Sequence, residues 1–137
     1  MVEQDVVFAA ATTGAVASKR LFTVTGTVFA TVVAVCSVNL TGTGTLECGI
    51  SDSTAIFIGQ TTGTDIDANE IWTASGPAAS YVITSDTIPP VYMLNADHIQ
   101  YTVGTGTLTA GTIKFYCFWE PLSEDGDVAA AGVNATA

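Results

Sequence analysis

Residues 21–40 read L-F-T-V-T-G-T-V-F-A-T-V-V-A-V-C-S-V-N-L and contain no charged side chain. A membrane-spanning helix needs about 20 mostly apolar residues, and this run nearly fits, with Lys19 and Arg20 as a flanking positive pair. Threonine and valine dominate the run, however, and β-branched side chains lose rotamer freedom in a helix and pack well on a pleated sheet. We therefore interpret Leu21–Leu40 as the longest β-strand of the protein.

The two halves of this run differ in their pattern. In the first half threonines alternate with apolar residues, which is the period-2 pattern of a strand with one wetter face. The threonines are Thr23, Thr25 and Thr27, and the apolar residues are Phe22, Val24 and Val28. From Phe29 to Val35 both faces turn apolar, which predicts burial on both sides or contact with another subunit.

Charge is scarce in this chain and is almost entirely negative. At 137 residues the chain is long enough for one domain with a real hydrophobic core. Charged residues make up 12%, against the ~25% that is usual for a soluble domain. The net charge is -10, and Lys19, Arg20 and Lys114 are the only basic side chains, which excludes nucleic-acid binding through a basic face. So little polar surface predicts that part of the apolar surface is buried in an oligomer.

The cysteines predict free thiols. Cys36, Cys48 and Cys117 are an odd set without C-x-x-C spacing, and each lies in an apolar strand context. The acidic start, Met-Val-Glu-Gln-Asp, lacks the features of a secretory signal, so we expect synthesis in a reducing cytosol. A Cys36–Cys48 bridge is the alternative, although a four-residue loop at Thr41–Gly44 would place the two on opposite faces of a hairpin.

Short strands separated by turn residues fill the rest of the chain. Turn signals recur about every 8–12 residues and no stretch has sustained helical periodicity, which predicts an all-β protein. A jelly-roll-like β-sandwich or barrel is our first choice, and an immunoglobulin-like sandwich is the second. We expect an extended N-terminal arm or edge strand over 1–18, the β-sandwich domain over 19–122 and a mobile, acidic and Ala/Gly-rich tail over 123–137. Within the domain, Thr45–Ile50 is expected to return from the long strand as a hairpin arm, and Ser80–Ser85 to form a strand.

Residues for catalysis or metal binding are sparse. The chain has one histidine, His98, beside Asp97, and we interpret it as a polar residue on the wet face of a strand. The segment Asp65-Ile-Asp-Ala-Asn-Glu70 begins like a calcium loop, but it has Glu70 where the required glycine should stand. A capped surface loop is the stronger interpretation. We expect no catalytic residues, no cofactor and no metal, and therefore no enzyme.

The strand predicted over Thr112–Glu120 is bulky on both faces. Phe115, Cys117 and Trp119 share one face, and Lys114, Tyr116 and Phe118 share the other. Such a strand is either buried on both sides or has the core on one face and a subunit interface on the other, where aromatic residues are favoured.

Three segments resemble a group of small proteins that tailed bacteriophages encode, usually among virion structural genes. They are Thr41-Gly-Thr-Gly-Thr-Leu-Glu, Gln60-Thr-Thr-Gly-Thr-Asp-Ile-Asp-Ala-Asn-Glu-Ile-Trp72 and Ile113-Lys-Phe-Tyr-Cys-Phe-Trp-Glu-Pro-Leu-Ser-Glu-Asp-Gly126. The similarity spans roughly 20–126 and supplies no functional residues. It implies a virion component such as a head decoration (cement) protein. Proteins of that kind are commonly β-rich trimers seated where capsomers meet.

We therefore expect a virion structural protein, assembled in the bacterial host cytoplasm, that binds and stabilises the major capsid protein shell. The alternative is a tail or fibre module that binds another virion protein or a host glycan, through exposed aromatics such as Trp72 and Tyr81. We expect a homo-oligomer, with a trimer favoured, and no nucleic-acid or membrane partner. The candidate interface residues are Lys19, Arg20, Phe29, Tyr116 and Phe118.

Overall fold

The β-branched and alternating segments of the chain form strands throughout the computed structural model, which describes residues 1–79 and 88–137. The strands are β1 Val2–Val7, β2 Ala17–Thr25, β3 Thr27–Gly42, β4 Thr45–Ile50, β5 Ser53–Thr62, β6 Ile71–Thr73, β7 Gly76–Ala78, β8 Tyr92–Asn95, β9 Ile99–Gly104, β10 Leu108–Pro121 and β11 Asp127–Ala130. One 3₁₀ turn, Gly63–Asp65, follows β5. Within those two ranges, no helix has the length and apolar character needed to cross a membrane. The strand predicted over Ser80–Ser85 lies outside the described residues.

The strands form two antiparallel sheets that pack as a β-sandwich, as the sequence predicts. Sheet A has the order β1-β10-β3-β6-β7, and β8 pairs with the first part of β3. Sheet B has the order β11-β2-β9-β4-β5. A jelly-roll connectivity within the sandwich stays a prediction.

The sequence predicts that Leu21–Leu40 is one strand, and this prediction is wrong. The run instead contributes to two strands in different sheets. Gly26 separates β2, in sheet B, from β3, in sheet A. Its φ of 60° lies in the left-handed region, where a side chain is strained and glycine is not. Ser123 and Asp125 also lie against Gly26 and leave no room for a Cβ. The chain therefore passes from one sheet to the other at this glycine.

The predicted hairpin between the long strand and Thr45–Ile50 is also wrong. β3 pairs with β10, β6 and β8, whereas β4 pairs with β5 and β9 in the opposite sheet. The turn between β3 and β4 is hydrogen-bonded to the turn between β9 and β10. Thr43 and Gly44 donate their backbone N–H groups to the carbonyl oxygen of Thr107 at 3.0 and 3.1 Å. The connection from β3 to β4 therefore runs from sheet A to sheet B instead of joining two paired strands.

The core is built around β10, which lies between β1 and β3. Phe115 and Cys117 point into the sandwich and are fully buried. The Phe115 ring stacks on Tyr101 of sheet B, with centroids 6.2 Å apart, and meets Trp72 edge-on at 6.1 Å. Phe8, from the segment after β1, packs edge-on against Tyr101 at 5.7 Å. Side chains from both sheets and from the N-terminal segment therefore share one aromatic core.

Both termini take part in the sheets. The segment 1–18, which the sequence predicts to be an arm or edge strand, contains β1. This strand pairs with β10 and forms the edge of sheet A. The segment predicted as a mobile tail instead contains β11, which pairs with β2 and forms the edge of sheet B. Beyond it, Ala135 accepts the backbone N–H of Arg20 at 3.0 Å, and Gly132 donates to the Gln4 side chain at 3.1 Å. β11 thereby covers an edge of β2 that would otherwise be unpaired.

Candidate functional site

The outer face of sheet A is apolar at its centre. Every second residue of β3 from Val28 to Cys36 is buried in the sandwich, so the residues between them point away from the core. These outward residues are Phe29, Thr31, Val33 and Val35. Tyr116 and Phe118 of β10 lie opposite Val33 and Thr31 and point the same way. In the stretch Phe29–Val35, residues on one face of β3 therefore belong to the core and residues on the other face form an exposed surface.

This face is hollowed into a groove of about 660 Å³, which we call the outer groove. Its floor is formed by Thr31, Val33, Val35, Ile71, Tyr116 and Phe118. One wall is formed by Ile88, Pro89 and Val91, of which Ile88 is 64% exposed. The Thr31 hydroxyl is buried in the floor without a hydrogen-bond partner among the described residues. A volume of this size lies within the ~300–1,000 Å³ range of sites that enclose a ligand.

A second, smaller hollow of about 320 Å³ continues the apolar surface past Phe118 toward Phe29. Phe29 is 44% exposed and lies opposite Met93 of β8 in register. Phe118 is 46% exposed, so two large rings and a methionine face solvent side by side. Clustered exposed apolar side chains of this kind mark interaction surfaces.

Among residues 1–79 and 88–137, the charged groups near the outer groove lie at its edges. On the β1 side, Lys114 contacts Glu3 at 3.3 Å and Asp5 at 3.8 Å. The hydrogen bond that Lys114 donates to the Glu3 carboxylate, followed by the charge of Asp5, raises the pKa of Lys114. Further along β10, beyond Phe118, Glu120 lies opposite Phe29 and lines the smaller hollow. The surface is therefore an apolar centre with a mainly acidic rim.

The structure brings together three of the five candidate interface residues predicted from the sequence. Phe29, Tyr116 and Phe118 lie on the outer face of sheet A. Lys19 and Arg20 lie in β2 of sheet B, opposite Tyr101 and Gln100 in register, and both are half-buried. The Arg20 Nε atom is buried without a hydrogen-bond partner among the described residues. The basic pair therefore belongs to a different surface from the aromatic residues.

Sequence reasoning missed Ile71, Ile88, Val91 and Met93 as members of the apolar surface. Ile71 lies opposite Val35, and Met93 lies opposite Phe29. Both belong to short strands that pair with β3 from far along the chain, and a short strand carries almost no periodic signal. The stretch Ile88–Val91 contains Pro89 and Pro90, which the sequence marks only as a strand terminator.

Trp72 does not offer a platform for glycan binding, in contrast to our prediction. Its side chain is fully buried in the sandwich, and its indole N–H donates to the Thr61 hydroxyl at 3.0 Å. Ile71, its neighbour in β6, points outward instead. Because the side-chain period of a strand is two, the register of β6 on β3 decides which of these two residues is exposed. Tyr81, the other aromatic residue named for this role, lies outside the described residues.

The cysteines are free and buried, as predicted. Burial raises the pKa of Cys117 to about 12, and burial with the nearby Cys117 thiol raises the pKa of Cys48 as well. Burial also raises the pKa of Cys36, against the opposing effect of its contact with the Val38 carbonyl. Reactive cysteines need a stabilised thiolate, and these environments disfavour one.

The segment from Asp65 to Glu70 forms a capped loop. The Glu70 carboxylate accepts the backbone N–H of Asp67 at 2.8 Å, and Asn69 adopts a φ of 69°. The side-chain amide oxygen of Asn39 on β3 accepts the backbone N–H of Ala68 at 2.7 Å. Over residues 1–79 and 88–137 there is no group of three or more His, Cys, Asp or Glu side chains that could hold a metal ion.

His98 is half-buried just before β9 and acts as a hydrogen-bond acceptor. Its Nδ1 atom accepts the backbone N–H of Val24 at 3.2 Å. Burial, and then the charge of Arg20, lowers the pKa of His98, while Asp97 acts in the opposite direction. An unprotonated Nδ1 fits this role, because only a free ring nitrogen can accept the bond.

The pKa of His98 predicts a loss of stability in mildly acidic solution. In the unfolded chain the histidine takes up a proton near its ordinary pKa of about 6.5, while in the folded chain it does so only at lower pH. We therefore expect the free energy of unfolding to fall as the pH drops below that value. Urea titrations of the wild type and of His98→Asn, whose amide oxygen can accept the same N–H without titrating, measure the effect. Parallel pH profiles for the two proteins would contradict it.

The outer groove is the feature from which a function can be inferred. It is large and apolar, and it gathers the exposed aromatic residues of β3 and β10. No protein-family model, no curated protein and no solved structure matches this chain.

Proposed function

We propose that this protein is a non-enzymatic virion structural protein that decorates a bacteriophage capsid and stabilises the shell by docking its outer groove against it. The exposed apolar face around Phe118 carries the proposal. Monomeric soluble proteins rarely leave a large contiguous apolar patch uncovered, and a patch with a polar rim is typical of an interface. The resemblance of three segments to phage virion proteins supplies the class of partner.

The β-sandwich supports such a role through its rigidity. β3 and β10 pair over most of their lengths, so the outward side chains of the groove floor sit on the longest ladder of the protein. Interface residues on a rigid strand pair lose little conformational freedom on binding, which favours affinity. A decoration protein works by buried area and needs no reacting group.

We also propose that the protein acts as a homotrimer. A chain with 12% charged residues has little polar surface with which to cover itself, and a second subunit removes apolar surface from water. Sedimentation equilibrium of the purified chain measures the assembly state. A stable monomer at all accessible concentrations would contradict this part of the proposal.

The docking proposal predicts that Phe118→Asp abolishes attachment to capsid shells. An aspartate in the centre of an apolar interface must be desolvated without a partner, so we expect the affinity to fall by about 100-fold or more. Co-sedimentation with empty shells assembled from the major capsid protein of the same phage measures binding. Val16→Asp is the matched control, because Val16 is 58% exposed and precedes β2, away from the groove.

Two further outcomes decide this test. Circular dichroism and urea titration establish that Phe118→Asp is folded, and Phe118→Ser provides a milder variant should the first one unfold. Equal binding of the folded variants and the wild type would remove the outer groove from the interface. Cryo-EM of intact particles locates the protein, and density on the tail alone would contradict decoration of the head.

A further inference from the structure

We propose that the outer groove receives a projecting apolar segment of another protein that is flanked by lysine or arginine side chains, and that two copies of this chain do not pair groove to groove. This inference rests on the proposed function, since it specifies the chemistry of the partner at the same surface. Three observations carry it: the charge of the rim, the charge of the whole chain and the concave shape of the groove.

The rim of the groove offers more negative than positive charge. Glu3, Asp5 and Glu120 supply three carboxylates, while Lys114 and the amino group of Met1 are the cations beside them. The Lys114 Nζ atom lies 3.3 Å from Glu3 and 3.8 Å from Asp5, so these three side chains together keep one net negative charge. A partner with basic side chains around its apolar contact would complement this rim.

The charge of the whole chain argues against a second copy at this surface. Each copy carries a net charge of -10 and has only Lys19, Arg20 and Lys114 as basic side chains. Lys19 and Arg20 lie in sheet B, so in a groove-to-groove dimer each described rim would bring three carboxylates but only two cations, Lys114 and the Met1 amino group. Like charges placed opposite each other across an interface disfavour the complex.

The shape of the groove leads to the same conclusion. A symmetric dimer places the same patch of each subunit against itself. Here that patch is a hollow of about 660 Å³ with a wall at Ile88 and Val91, and two hollows facing each other enclose empty space. Interfaces reach the packing density of protein interiors, so a convex apolar segment is the fitting occupant.

The test reverses one rim charge and varies the salt concentration. Wild type, Glu120→Lys and Asp52→Lys are bound to the same capsid shells at ionic strengths of about 50 mM and about 300 mM. Both substitutions change the net charge equally, but Asp52 lies in the exposed turn between β4 and β5 of sheet B. We expect Glu120→Lys to weaken binding roughly fivefold and to flatten its salt dependence, and Asp52→Lys to behave like the wild type.

Synthetic peptides separate the occupants directly. A short leucine- and phenylalanine-containing peptide flanked by lysines should shift the amide resonances of Val33, Tyr116 and Phe118, and the same peptide flanked by glutamates should not. Equal shifts from both peptides, or equal salt dependence of all three proteins, would overturn the inference while leaving capsid docking intact. A dimer of the free chain that Phe118→Asp dissociates would also overturn it, in favour of a second copy. Failure of the wild type to bind shells would instead reject the proposed function.

Discussion

Replacing Phe115 by alanine is expected to destabilise the protein by about 3–5 kcal/mol, because truncation of a buried phenylalanine loses its transfer free energy and leaves a cavity. The Phe115 ring is fully buried between Tyr101, which stacks on it, and Trp72, which meets it edge-on. It therefore joins the two sheets at the centre of the core. For a domain of typical stability, ~5–15 kcal/mol, the loss is about a fifth of the total or more. Urea denaturation followed by tryptophan fluorescence measures it.

Phe118→Ala is the matched control, since it removes the same ring from the same strand on the opposite face. Phe118 is 46% exposed, so its truncation should change the free energy of unfolding by less than about 1 kcal/mol. Under the proposed docking through the outer groove, the order of the two variants should reverse for attachment to capsid shells, because Phe118 and not Phe115 would contact the partner. Comparable destabilisation by both substitutions would show that the outer face is part of the core.

Replacing Gly42 by alanine is expected to cost about 3 kcal/mol, because it combines backbone strain with a backbone clash. Gly42 has a φ of 117°, a conformation that side chains rarely adopt. A Cβ at this position would overlap the carbonyl oxygen of Thr107. That oxygen accepts the N–H groups of Thr43 and Gly44, so its displacement also weakens the connection from sheet A to sheet B. Thermal and urea unfolding measure the loss.

Gly59→Ala provides the control for the glycine prediction. Gly59 is exposed on β5, has no positive φ and has no atom within 4 Å of the position that a Cβ would take. Alanine restricts the unfolded chain more than glycine does, so we expect a stabilisation of about 0.5 kcal/mol. A similar loss of stability from Gly42→Ala and Gly59→Ala would indicate that the positive φ and the clash at Gly42 are not the cause of the loss.

The sequence correctly predicted which residues of β10 share a face. The alternation of Phe115 and Cys117 with Tyr116 and Phe118 separates core from exterior, because neighbouring residues of a strand point to opposite sides. The location of Lys19 and Arg20 could not be predicted in the same way. They lie far from the aromatic residues because the chain passes from sheet B to sheet A at Gly26. A glycine inside an apolar run does not indicate whether the chain continues in the same sheet or changes to another.

The sequence by itself determined the all-β class and which residues of each long strand share a face, because β-branched composition and a period of two are local properties. Only the tertiary structure decided that Leu21–Leu40 divides between two sheets, that β10 pairs with β3, and that β11 joins sheet B. Pairing partners are chosen by contacts between residues far apart in the chain, and no local pattern records them. The same long-range pairing brings Ile71 and Met93 beside β3 and so completes the outer apolar face.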